Sequence, residues 1–162
     1  MLTKTEKQKI RNNFWEEFAY RSSKTGGQSG LKKRWIMDNT KMKDITLKFD
    51  FNEKRALVGL ILQFRNEAKR HDIFDQLLCH RHKIDSFFSS SPSWQSDFDL
   101  QNKIVSGIFI LEEKVSVYRQ EDWPLVFDFF FSQMTCMEKM FRSMKPIMDE
   151  ILMQYENDNF VE

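Results

Sequence analysis

Two aspartates bracket the stretch of this chain where side-chain types come nearest to metal chemistry. Asp44 and Asp50 flank Ile45, Leu47 and Phe49, with Thr46 and Lys48 alternating between them. One arrangement that hydrolyses a phosphodiester with a bound divalent ion sets a carboxylate on one strand and an acid-x-Lys pair on its neighbour, to hold the ion and activate water. Asp44 or Asp50 supplies a first acid. The next apolar run, Ala56 to Phe64, offers only Gln63 as a polar side chain. A hard cation needs several oxygen ligands, so this ribbon reads as non-catalytic.

Other constellations are weaker by spacing. Glu112-Glu113-Lys114, with Asp97 and Asp99 upstream, fits acid-x-Lys, but the pattern is common by chance and reads as a charged turn between two strands. His71, Asp75, Cys79 and His82 share one stripe of a helical pattern. A straight helix cannot wrap four ligands around one ion, so the stripe reads as a polar flank and no metal is expected. Lys24 to Gly30 lacks the Gly-Lys-Ser/Thr of a phosphate loop and follows a helix rather than a strand. Lys32, Lys33 and Arg34 beside Trp35 form the one basic-aromatic group suited to a nucleic-acid backbone and base. No catalytic residue and no cofactor are assigned, and the reading leans away from an enzyme.

These residues need positioning elements. The alternation at Ile45–Phe51 is that of a half-buried strand. Asn52-Glu53-Lys54 then turns the chain into the second run, which predicts an antiparallel hairpin over Asp44 to Phe64. Thr3 precedes Glu6 by three residues, a capping-box start, and Ile10, Phe14 and Phe18 mark one face of a helix running to about Arg21. Ser22 to Gly30 reads as loop, and Trp35-Ile36-Met37 as a short strand. A second helix is expected over Asn66 to Phe88, with Phe74, Leu77, Leu78, Ile84 and Phe88 as its buried stripe. Ser89 to Ser93 ends it. Trp94 to Phe98 and Ile104 to Leu111 read as strands, and Val115 to Tyr118 as a strand pairing back on the latter. Asp122-Trp123-Pro124 opens the longest helix, with Asp122 expected to cap its first amides. Pro146 is a kink point within that helix.

The expected fold is therefore α+β. A mostly antiparallel sheet of four to six strands packs against three helices, in the order helix–three strands–helix–strands–long helix, as one domain over residues 1–162. Phe127, Phe129 and Phe131 spread wider around the last helix than one buried face needs. Phe127, Phe131 and Met134 are read as a partner surface, with a homodimer expected.

Composition agrees with a folded soluble chain: 41% hydrophobic and 30% charged residues, only 5 Gly and 3 Pro among 162. A net charge of +1 draws in neither nucleic acid nor a membrane globally. Cys79 and Cys136 read as reduced thiols of a cytoplasmic protein, and the charged start (Met1 to Arg11) does not read as a secretory signal. No apolar run is long enough to span a membrane.

Several segments together resemble a family of bacterial domains of unknown function, whose members occur alone or fused to restriction-endonuclease-like, PD-(D/E)XK, domains. The segments are Asn13 to Phe18, Trp35-Ile36 to Lys41, Lys43 to Asp50, Asn52 to Ala56, and Asp122-Trp123-Pro124 with Phe129-Phe130. The order helix–three strands–helix–strand is also that of PD-(D/E)XK cores. The resemblance implies a prokaryotic cytoplasmic α+β domain tied to defence or DNA metabolism. Where the family carries an acid in its third strand, this chain has Leu60-Ile61-Leu62. The function expected is a non-catalytic, self-associating accessory module. The alternative is a nucleic-acid binder with a degenerate or displaced nuclease site.

Overall fold

The structure, a computed structural model, describes residues 1–24 and 40–160. In chain order these form α1 (Lys4–Lys24), β1 (Ile45–Phe51), β2 (Arg55–Leu62), α2 (Glu67–Leu78), α3 (Arg81–Asp85), β3 (Ser93–Leu100), β4 (Lys103–Glu113), a 3-10 turn (Gln120–Asp122) and α4 (Trp123–Phe160). The four strands make one antiparallel sheet in the order β1-β2-β4-β3. The α+β class holds, with strands at the low end of the expected number. The Trp35–Met37 strand lies outside the described residues.

Local chemistry sets the element ends. Thr3 Oγ1 accepts from the Glu6 amide at 3.1 Å and so starts α1. The β1–β2 turn is held by Asn52, whose Oδ1 accepts from the amides of Lys54 and Arg55 at 2.8 and 3.0 Å. Asn66 caps α2 through the Lys69 amide at 3.0 Å.

Three expectations are corrected. The helix expected over Asn66 to Phe88 is broken after Leu78. The Cys79 and His80 amides bond to carbonyls three residues back, which tightens the last turn and ends α2. The segment Val115 to Tyr118 is not a strand. Lys114 takes a left-handed φ of 64°, and the chain leaves the sheet; the Val117 amide donates to Asn52 O at 3.0 Å, its carbonyl accepts from Trp123 Nε1 at 2.9 Å, and its side chain is fully buried. Asp122 does not cap α4. Its Oδ2 accepts from the Ser116 amide at 2.9 Å and from Arg119 Nε at 2.8 Å, fastening the loop before the helix. The Ser116 bond, then Arg119, holds its carboxyl below the usual range against the opposing effect of burial.

The sheet is buried on both faces by different means. On one face, Ile45, Leu47, Phe51, Ala56, Val58, Leu60, Leu62, Ile108 and Ile110 pack under the helices. Phe14 and Phe18 of α1 enter an aromatic cluster with Phe51, Trp123, Phe127 and Phe130, at centroid separations of 4.8 Å for Phe14–Phe51 and 5.0 Å for Phe14–Phe127. Met134, Met137, Met140, Met144 and Met148 continue the α4 side of that core. The opposite face holds Leu57, Ile61, Leu100, Val105 and Phe109, with Phe98 and Leu111 against them.

Among the described residues, no helix covers this second face; the β3–β4 hairpin does. In register, Ser106 lies opposite Leu62 and Leu111 opposite Leu57, so a flat ladder would carry the hairpin tip past the end of β2 and away from Asp50. Instead the Gln101 side chain at the tip bonds Asp50, and Phe98 lies 4.4 Å from Phe109. The tip is therefore folded back over the sheet. The bend occurs where β3 carries an irregularity between Gln95 and Phe98 and β4 carries Gly107. A Cβ on Gly107 would sit 2.6 Å from the Leu60 carbonyl oxygen and 2.6 Å from the Phe109 ring, so only glycine fits there. The Phe109 ring also lies over Gly59, where a Cβ would meet it at 2.7 Å.

Candidate functional site

The folded-back tip brings together residues that are far apart in the ladder. Asp50, 8% exposed, receives Arg55 Nη1 on Oδ2 at 2.6 Å and Gln101 Nε2 on Oδ1 at 2.8 Å. Gln101 and Asn102 form a two-residue turn with φ of 53° and 65°, the left-handed pair of a tight hairpin. Asn tolerates this conformation; Gln does so at a cost of about 1–2 kcal/mol. A strained glutamine whose side chain clasps a buried acid marks this end of the molecule.

Beside the clasp lies a cleft of about 1250 Å³ between α1 and the β1–β2 and β3–β4 turns. Its lining includes the amides Gln8, Asn12, Asn52, Gln101 and Asn102, with Trp15, Phe18, Phe49 and Phe51 as apolar surface. Charges are mixed: Arg11 and Arg55 against Asp50, Glu53 and Asp99. The α1 wall is set by side-chain bonds. Gln8 donates to Asn12 Oδ1 at 2.9 Å, Arg11 donates to Gln8 Oε1 at 2.6 Å, and Arg11 also donates to the Tyr118 hydroxyl.

The two acids of the first hairpin do not come together. Asp44 and Asp50 stand at opposite ends of β1, roughly 20 Å apart by strand rise, too far to share an ion. Both Asp50 oxygens face nitrogen donors. Glu112 and Glu113 lie opposite Ala56 and Arg55, and Asp97 pairs with Arg70 and His71 instead; among the described residues these acids form no ligand group with Asp99.

Two of the three residues read as a partner surface lie in the core. Phe127 and Met134 are 1% and 0% exposed, inside the core, and Phe131 is half-buried against it. The wide apolar arc of α4 is explained by its central place, with α1, the sheet and α2 around it. Lys32, Lys33, Arg34 and Trp35 lie outside the described residues.

The His71–Asp75–Cys79–His82 stripe does not act as a unit, because α2 ends at Leu78. Cys79 Sγ donates to its own helix at Asp75 O, 3.6 Å away, and both cysteines are free thiols. His71 pairs instead with Asp97, Nε2 to Oδ1 at 2.9 Å. Buried Arg70 reaches the same oxygen through Nη2 at 2.6 Å and bonds Ser106 Oγ through Nε at 3.0 Å. Ser106 Oγ in turn donates to Ser96 O at 2.7 Å, satisfying the carbonyl that the irregular β3 register leaves unpaired. The His71 hydrogen bond, followed by that of Arg70, holds the Asp97 carboxyl below the usual range, although burial works the other way. Sequence spacing missed this cluster because its members lie on α2, β3 and β4, and no local signal joins Asp97 to His71.

An α+β domain with a hairpin-closed sheet and an amide-lined cleft is what the geometry defines. Residues 10–145 match the family described as Domain of unknown function (DUF4268), and the chain belongs to that family. Neither a curated protein nor a solved structure matches it. Among the described residues, no helix is long and apolar enough to cross a membrane.

Proposed function

We propose that this domain is a non-catalytic interaction module that binds an extended polypeptide segment in the cleft between α1 and the two hairpin turns. The observation that carries this is the cleft lining: five carboxamides over an aromatic floor, with acids and arginines mixed. Carboxamides offer both donors and acceptors, which suits peptide groups. Aromatic surface supplies apolar contact for alternate side chains. Asp50, Glu53 and Asp99 outnumber Arg11 and Arg55, an unfavourable lining for phosphates.

The test is peptide-library selection on the purified domain, followed by titration of the selected peptides against Trp15→Ala and Asn12→Ala variants. Micromolar binding that weakens about tenfold or more in both variants is expected. Binding unchanged in both overturns the reading. Incubation of plasmid DNA with magnesium or manganese should leave it uncut.

Self-association belongs to the same reading. With Phe127 and Met134 turned inward, an α4 contact would use Leu125 and Met153, which are 49% and 62% exposed. Light scattering at high concentration checks it, and a strict monomer removes it. A cytoplasmic, bacterial setting fits the two free thiols. Nucleic-acid binding of the restriction or defence type is the alternative, carried by Lys32, Lys33, Arg34 and Trp35. Heparin retention with steep salt dependence would favour it over the peptide reading.

A further inference from the structure

We propose that Glu67, His71 and Asp97 form a binding site for a divalent first-row transition ion such as zinc, clipping α2 to the bend of the β3–β4 hairpin. One ligand atom from each of the three lies within 4.8 Å of the others. Glu67 and His71 are one helical turn apart on α2, and so share a face. Asp97 arrives from the irregular part of β3, where the break in register frees it from ladder alternation.

The separations suit an ion. Ligands held about 2.1 Å from a metal stand about 3.0 Å apart in octahedral and about 3.4 Å apart in tetrahedral arrangements. His71 Nε2 and Asp97 Oδ1 are already 2.9 Å apart. The Glu67 side chain is exposed and its carboxylate meets no hydrogen-bond donor among the described residues, so a rotamer change brings it in at little cost. Asp97 Oδ2 accepts no hydrogen bond among the described residues, and is open to the ion.

Arg70 decides whether the site is workable. Its guanidinium lies 2.6 Å from Asp97 Oδ1 and 3.3 Å from His71 Nε2, and its charge opposes a second cation. The two carboxylates and Arg70 together leave a net charge of −1, so a divalent ion still meets a negative site. Arg70 is also the group that fixes Asp97. It is 5% exposed, anchored by Ser106, and acts as an outer partner that orients a ligating carboxylate. Binding requires Nε2 of His71 to lose its proton and exchange the Asp97 bond for the metal. One imidazole with two carboxylates favours zinc, manganese or ferrous iron over magnesium or calcium.

The experiment is calorimetric titration of tag-free protein with zinc chloride, with thermal unfolding followed in parallel. Magnesium chloride is the control ion. One equivalent of zinc should bind, and the unfolding midpoint should rise by roughly 5–10 °C at a hundredfold excess over Kd. Glu67→Gln, which touches no packing, and His71→Ala should each weaken binding by about tenfold or more and abolish the rise. A Cys79→Ser, His82→Ala double variant should behave as the wild type. Absence of zinc binding overturns the proposal, as does binding that survives Glu67→Gln and His71→Ala or that disappears in the double variant. Peptide binding in the cleft involves none of these side chains, so the two readings fail separately.

Discussion

The two faces of the sheet are closed in opposite ways. One is covered by helices whose apolar stripes match the strands beneath, with Phe14, Phe127 and Phe130 interleaved at ring-contact distances. The other is covered by the sheet's own hairpin, bent at Gly107 and pinned at its tip by Gln101 on Asp50. The helical face is redundant, because many side chains contribute. The hairpin face depends on a few positions where backbone geometry and single polar contacts must be right. The cleft takes one wall from the hairpin tip and the Asp97 cluster takes Asp97 from its irregular strand, so both depend on this more conditional structure.

The largest expected effect lies on the helical face. Phe130 touches Phe14, Phe18 and Phe49 and is fully buried. Phe130→Ala should lose about 3–5 kcal/mol, measured by chemical denaturation, since it opens a cavity at the centre of the cluster. A loss below about 1 kcal/mol would show that the rings are not packed as described.

Gly107→Val comes next and strikes the hairpin bend. The new Cβ meets the Leu60 carbonyl, which is backbone and cannot swing away. About 2–3 kcal/mol should be lost. Hydrogen exchange should rise in β3 and β4 before it rises in β1. If all strands loosen together, the two faces are not separable units.

Breaking the clasp is milder. Asp50→Asn leaves Arg55 without its anion and should cost about 1–3 kcal/mol. Gln101→Gly is the sharper probe. It relieves the left-handed strain while deleting the bond to Asp50, so the two effects nearly offset in global stability. Faster exchange at the amides of residues 98–105 with little change in denaturation midpoint is the expected signature.

The smallest effect is the pH dependence of Asp122. Its folded carboxyl is held below the ordinary value of 3.8. Its contribution is therefore fully present above that value and is lost as pH falls through the lower folded one. Asp122→Asn should lower stability by about 1 kcal/mol at pH 7 and flatten the acid limb of a stability–pH profile. An unchanged limb would show that the Ser116 amide does not hold the charge.

Alternation in Ile45–Phe51 and the continuous apolar run of β2 were enough to define the first hairpin, since period two and a polar three-residue turn are local properties. The same is true of α1 and of the start of α4 at Trp123-Pro124. Lack of a carboxylate in β2 was likewise readable, because residue type alone reports it. The pairing of β3 with β4 was partly hidden, because Gln101-Asn102 is not the Asn-Gly pair that advertises a tight turn. Width of the apolar arc on α4 could not distinguish a partner surface from a helix packed on several sides, because periodicity reports which residues are apolar and not what meets them.

The sequence by itself determined α1, the first hairpin and the start of α4, and that β2 carries no carboxylate, because side-chain period and residue type act over a few neighbours. Only the tertiary structure decided that the second hairpin folds back, that Gln101 finds Asp50, and that His71 faces Asp97 rather than Asp75. Those contacts join residues distant in the chain, and their energies depend on a bend and a register break that have no local periodic signature.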